Sequence, residues 1–258
     1  MTPPQTPHPE SRSFGVGPAY PSEHQQFSDS RRSGQTTAGP AAGAPEESVR
    51  PSPVARSGPA DSGRDVGIVF LGASQTAGYG DPKGLGWVGR VVARTQHPDL
   101  DLTAYNLGVR GDTSADVAAR WAAECRPRWR GRGERRLVLS VGTNDVLTGM
   151  TLARSRLNLA NILDEAKTAG VAVFVVGLAP TLDPELNHRV LALAEAQADV
   201  CGRRSVTYVD CFRPLVGHDQ WMADLAASPD HAHPGQAGYG LIAWLVLHNG
   251  WNDWLRIS

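Results

Sequence analysis

From Val66 onward, short runs of β-branched and other apolar residues alternate with stretches of helical pattern, and few folds are open to a chain built this way. The runs at 66–71, 102–107, 137–141, 171–178 and 206–209 are almost continuously apolar, as a strand covered on both faces must be. Between and after them, segments at about 87–96, 114–129, 151–169, 184–201 and 234–248 read as helices. Asp183 ahead of Pro184, for example, is an N-cap followed by proline at the first helical position. Strands alternating with crossover helices make a parallel sheet. The predicted fold class is therefore α/β: a three-layer α/β/α sandwich around a five-stranded parallel sheet.

The first 64 residues belong to a different kind of polymer. They hold 11 of the 19 prolines and mix Pro, Gly, Ser, Ala, Arg and Gln, with isolated apolar residues such as Phe14, Val16 and Phe27 but no run that could bury them. Such a segment cannot offset its own ordering entropy, so residues 1–64 are expected to form a disordered tail ahead of one domain over 65–258. A formal net charge of -1 excludes a generally basic nucleic-acid binder. The one Arg-rich stretch, Arg126 to Arg136 with Arg128, Arg130, Arg132 and Arg135, lacks aromatic platforms and reads as a solvated helix end and loop. No apolar stretch is long enough to span a membrane, and the first residues lack the apolar core of a secretory signal, so a cytoplasmic protein is expected. Cys125, Cys201 and Cys211 form no C-x-x-C pair and read as small core residues in a reducing compartment.

In open parallel sheets, ligands bind outside the carboxyl ends of the strands. Those positions read Gly72-Ala73-Ser74-Gln75-Thr76-Ala77-Gly78, Gly108-Val109-Arg110-Gly111-Asp112-Thr113, Gly142-Thr143-Asn144-Asp145 and Ala179-Pro180, with Asp230-His231-Ala232-His233-Pro234 before the last helix. Hydroxyl, glycine, amide, carboxylate and imidazole converge on one edge, which is the inventory of a serine hydrolase. A serine hydroxyl needs a neighbouring base, and histidine is the side chain suited to it at neutral pH. Ser74 sits in a strand-to-helix turn flanked by glycines. Asp230 precedes His233 by three residues, a spacing at which a short turn lets its carboxylate reach Nδ1 and fix the tautomer. A tetrahedral oxyanion also needs preorganised donors. Asn144 offers a side-chain N–H, and the backbone of Ser74 and of a glycine after the second strand, Gly108 or Gly111, offers others.

These blocks resemble the SGNH, or GDSL-type, esterase and lipase family, whose name lists Ser, Gly, Asn and His from four separate motifs. Ser74 matches the nucleophile of the first, Gly111 in Gly-Asp-Thr-Ser the glycine of the second, Asn144 in Gly-Thr-Asn-Asp the third, and Asp230-x-x-His233-Pro234 the last. The resemblance covers about three quarters of the chain, from Val66 to the end, and implies the flavodoxin-like SGNH hydrolase fold. It also implies a catalytic set of Ser74, Asp230 and His233 with an oxyanion hole from Ser74, Gly111 and Asn144. The substrate it implies is a small or medium acyl ester, with no cofactor and no metal. The chain departs from the family at one place: Ala73 stands where the first motif, G-D-S, has its aspartate. Because the acid of the triad is Asp230, the set stays complete, and weaker rather than absent activity is expected. The rival reading is a scaffold or binding protein that kept the fold and lost the chemistry, motivated by Ala73 and the long tail.

Other candidates carry less. His231 and His233 form an H-x-H pair beside Asp230 but lack a third and fourth metal ligand of suitable spacing. The glycines around Ser74 spell neither a dinucleotide fingerprint nor a P-loop. Trp87, Trp121, Trp129 and Trp244 are expected in the core, Trp221 as a candidate pocket wall and Pro180 as a rim residue.

Overall fold

A computed structural model of the chain describes residues 63–257; the expected tail lies outside the described residues, apart from its last two positions. Five strands, β1 (Arg64–Gly72), β2 (Leu100–Gly108), β3 (Glu134–Ser140), β4 (Ala172–Val176) and β5 (Thr207–Val209), form one sheet in the order β2-β1-β3-β4-β5. All four pairings are parallel. The intervening chain forms helices α1 (Ser74–Ala77), α2 (Gly86–Arg94), α3 (Ser114–Arg128), α4 (Thr143–Leu147), α5 (Leu152–Thr168), α6 (Pro184–Gly202), α7 (Phe212–Leu215), α8 (Asp219–Ala227), α9 (Gln236–Val246) and α10 (Asn252–Leu255).

Two apolar layers sandwich the sheet, and the strand period of two assigns residues between them. Val66, Ile68 and Phe70 of β1, Val138 of β3 and Phe174 and Val176 of β4 face Trp87, Val88 and Val91 of α2 and Tyr239, Ile242 and Val246 of α9. Val69, Leu71, Leu137, Leu139, Val173 and Val175 face the other way, onto Val117, Trp121 and Cys125 of α3 and Leu159, Ile162 and Leu163 of α5. This is the three-layer sandwich expected from the alternation.

Some expectations need correction. β2 is an edge strand and only half buried, so the demand that every strand be covered on both faces fails there. Trp244 is 56% exposed and stacks on His248 instead of entering the core, whereas Trp87, Trp121 and Trp129 are buried. In the Arg-rich stretch, Arg136 is not solvated: its guanidinium is buried, donates to Glu134 and to the Trp254 carbonyl, and lies over the Trp254 ring. A strand residue at that register must turn inward, and the last helix supplies the cover.

The fold positions the site through its strand ends. Gly72 is level with Gly108 on one side and with Ser140 on the other. The chain leaves β1 toward β2 and then returns past it to β3, so the loops after β1, β2 and β3 open around a topological switch point, where such sheets bind ligands.

Candidate active site

β1 ends at Gly72, Ala73 caps the single turn α1 with no side-chain hydrogen bond, and Ser74 is its first helical residue. The turn closes at Gly78 in the left-handed conformation, and the Tyr79 N–H donates to the Ser74 carbonyl at 3.0 Å. The α8–α9 loop approaches from the other side. There Asp230 Oδ1 accepts the backbone N–H groups of Ala232 (3.1 Å) and His233 (3.0 Å), a small turn that fixes its carboxylate. Its other oxygen lies 2.7 Å from His233 Nδ1, and His233 Nε2 lies 2.7 Å from Ser74 Oγ. An ionised carboxylate only accepts, so Nδ1 carries the proton and Nε2 is left to accept from the serine hydroxyl. Burial opposes the charge on Asp230, but hydrogen bonds from the His233 ring and from the two backbone donors outweigh it and hold the carboxyl down at about 2.

The remaining expected residues stand on neighbouring loops. Asn144, in the first turn of α4, donates one amide hydrogen to the Asp112 carbonyl at 2.7 Å, which leaves the second for another acceptor. Gln197 Nε2 holds the Val141 carbonyl at 2.7 Å and so steadies the chain leading to Asn144. The two glycines after β2 differ in what constrains them. A Cβ on Gly108 would lie 2.2 Å from the Ala77 backbone nitrogen, so this glycine lets α1 pack on the end of β2. Gly111 has φ of +86° with nothing within 4 Å of a Cβ there, so it is the backbone conformation of the loop that asks for glycine.

A cavity of about 330 Å³ opens beside Ser74, His233 and Asn144, with Leu147, Leu178, Leu182 and Leu186 among its walls and His231 at the side. Gly111 is not among the lining residues. Trp221 and Pro180 are not pocket residues either. Trp221 is fully buried and its Nε1 donates to the Pro180 carbonyl at 3.1 Å, which holds both beneath the site while Thr181 and Leu182 form the wall.

The sequence reading missed several neighbours. The Tyr79 ring meets His233 edge-on, with centroids 4.8 Å apart, and the Arg110 guanidinium lies 3.4 Å from the centre of that ring. The Tyr239 hydroxyl donates to the Tyr79 carbonyl at 2.6 Å. The only sequence signal was an aromatic placed just after the glycine that ends the Ser74 turn. All three cysteines are buried; desolvation pushes the Cys125 and Cys201 thiols up to about 12 and Cys211 higher still, so none is a nucleophile. Among the described residues, no group of three or more His, Cys, Asp or Glu side chains could hold a metal ion, and no helix is long and apolar enough to cross a membrane.

Comparison with known proteins extends this picture. The family model described as GDSL-like lipase/acylhydrolase matches residues 70–241. The chain is 29% identical over 174 residues to esterase TesA of Pseudomonas aeruginosa, covering 66% of this chain and 80% of that protein. A crystal structure of TesA superposes with a TM-score of 0.59 at 24% identity, over 71% of this chain and 97% of the other. An acetylxylan esterase from Geobacillus stearothermophilus gives 0.59 at 20% identity, over 77% and 99%. These structural likenesses, below 25% identity, speak to the fold.

Proposed function

Since the chain belongs to the GDSL-like lipase/acylhydrolase family, we propose that it hydrolyses esters of small or medium acyl chains through Ser74, His233 and Asp230. The observation that carries this reading is the continuous Oγ–Nε2 and Nδ1–carboxylate relay, 2.7 Å at each step, beside a leucine-walled cavity. The curated relative is named an esterase, which agrees with it.

In this reaction Ser74 Oγ attacks the acyl carbonyl as its proton passes to His233 Nε2, and the imidazolium is stabilised by the ionised Asp230. The tetrahedral oxyanion is met by the backbone N–H of Ser74, which as a first-turn donor has no intrahelical partner, by the Gly111 N–H and by the second amide hydrogen of Asn144. Each such donor is worth about 3 kcal/mol when preorganised. His233 then protonates the leaving alcohol, and a water activated by the same imidazole releases the acid from the acyl-enzyme. The leucine walls take the acyl chain.

The test pairs p-nitrophenyl acetate and butyrate turnover with a fluorophosphonate probe. The expected outcome is covalent labelling of Ser74 together with hydrolysis. In Ser74→Ala, label should be lost and kcat should fall by at least about 10³-fold with the fold intact. A chain that neither labels nor turns over is a scaffold and not a hydrolase.

A further inference from the structure

We propose that Arg120 is a positioning residue that locks the Ser74 turn and the oxyanion loop to one another, an inference that rests on the hydrolase reading above. Arg120 lies in α3, and its side chain is 18% exposed. From there one guanidinium reaches three separate stretches of chain. Its Nε donates to Asp112 Oδ2 at 2.7 Å, in the loop that carries Gly111. Its Nη2 donates to the Leu107 carbonyl at 3.0 Å, near the end of β2, and to the Gly72 carbonyl at 3.3 Å, at the end of β1 and two residues before Ser74. Nη1 is held by Glu124 at 3.1 Å on the next turn of the same helix.

Each contact leads to a group of the site. The Gly72 carbonyl also accepts the Val109 N–H at 3.0 Å, so it joins the serine strand to the loop after β2, and the guanidinium caps that junction. Asp112 is a second junction: Arg120 holds its carboxylate, and its carbonyl takes the first amide hydrogen of Asn144 at 2.7 Å. The direction of the second Asn144 hydrogen is therefore set through Asp112, and the setting of Asp112 through Arg120. A mere ion pair between helix and loop would need the carboxylate alone; the two strand-end carbonyls have no part in it. The planar fork of arginine carries five donors on three nitrogens and meets all four acceptors, whereas an ammonium has three donors on a single nitrogen. The brace also lies where this chain lacks the family aspartate beside its serine, since Ala73 follows Gly72 directly.

The experiment compares the full chain with Arg120→Met and Arg120→Lys, counting active sites by the final extent of fluorophosphonate label and measuring kcat per labelled site, KM and Tm. A displaced catalytic group costs on the order of 10²-fold in rate. Arg120→Met should lose about 10- to 100-fold in kcat per site with KM within about threefold, and Arg120→Lys should recover part of the loss. A role confined to holding α3 on the sheet lowers Tm and the number of labelled sites but leaves kcat per site unchanged, and that result overturns the proposal. Should Arg120→Met fail to fold, Arg120→Lys decides: a lower kcat at constant KM supports the positioning role, and wild-type kcat overturns it. Absence of label and turnover in the wild-type chain overturns the hydrolase reading, and this inference with it.

Discussion

Asp230 shows how much a single side chain can settle. Its carboxyl is held at about 2, below the ordinary value of roughly 3.9. A depressed carboxyl stabilises the fold above the unfolded value, and that contribution is lost as pH falls toward 2; with the side chain 40% exposed the effect on stability is small. The effect on catalysis is larger. Asp230 stays ionised wherever an imidazole titrates, so kcat/KM should rise with pH on its acid side with a slope of one, as the imidazolium gives up a single proton. A slope of two would mean that the carboxylate titrates in the same range and that the relay is weaker than its geometry. Ala73 carries a second prediction at this scale. It caps α1 without a side-chain hydrogen bond, and the cap position favours aspartate, typically by about 1 kcal/mol. Ala73→Asp should raise Tm by about 2–4 °C and leave kcat at or above the wild-type value. A lower Tm with lost activity would show a backbone adapted to alanine.

Among elements, the strands were legible because burial on both faces writes itself as continuous apolar sequence, and the cap at Asp183 ahead of Pro184 marked the start of α6. β2 was read to begin two residues late, since Leu100 and Asp101 pair with Arg64 and Asp65 at a half-exposed edge where no apolar run marks the start. Helices of four or five residues, α1, α4, α7 and α10, are too short for a period to show. The relay residues could be read because each follows a strand end or stands just ahead of α9. Tyr79 and Arg120 could not, because only the folded neighbours give them meaning. The same holds for Glu134, at the opposite end of the sheet. It accepts Arg64 at 2.6 and 2.9 Å and Arg136 at 2.6 Å, while Arg136 also holds the last helix. Hydrogen bonds from Arg64, opposed by burial and aided by Arg136, bring its carboxyl to about 2. Glu134→Gln leaves the Arg136 guanidinium, 4% exposed, without its charge partner. Breaking a fully buried pair costs about 3–5 kcal/mol, but Glu134 is 32% exposed, so about 2 kcal/mol, or roughly 4–8 °C in Tm, is expected near neutral pH. The wild-type advantage exists above the unfolded value and fades toward the folded one, so the gap should narrow as pH drops from about 5 to about 3. A gap independent of pH would assign the loss to shape and not to charge.

For the whole molecule, both apolar layers, the five strands and every residue of the relay are furnished by residues 63–257. β1 begins at Arg64, whose backbone N–H already donates to the Asp99 carbonyl at 2.7 Å, so the sheet needs nothing earlier to start its first pairing. The composition of the preceding residues, with no periodic apolar face and most of the prolines, offers no surface for the core. A chain beginning at Gly63 should therefore keep kcat/KM within about twofold and Tm within a few degrees, because changes outside packed or functional positions cost under about 0.5 kcal/mol. Limited proteolysis of the full chain gives an independent reading: rapid cleavage ahead of Val66 should leave a fragment that still labels at Ser74. Should the shortened chain lose activity while its Tm holds, the first residues act at the pocket itself, and the functional unit is the full 258 residues.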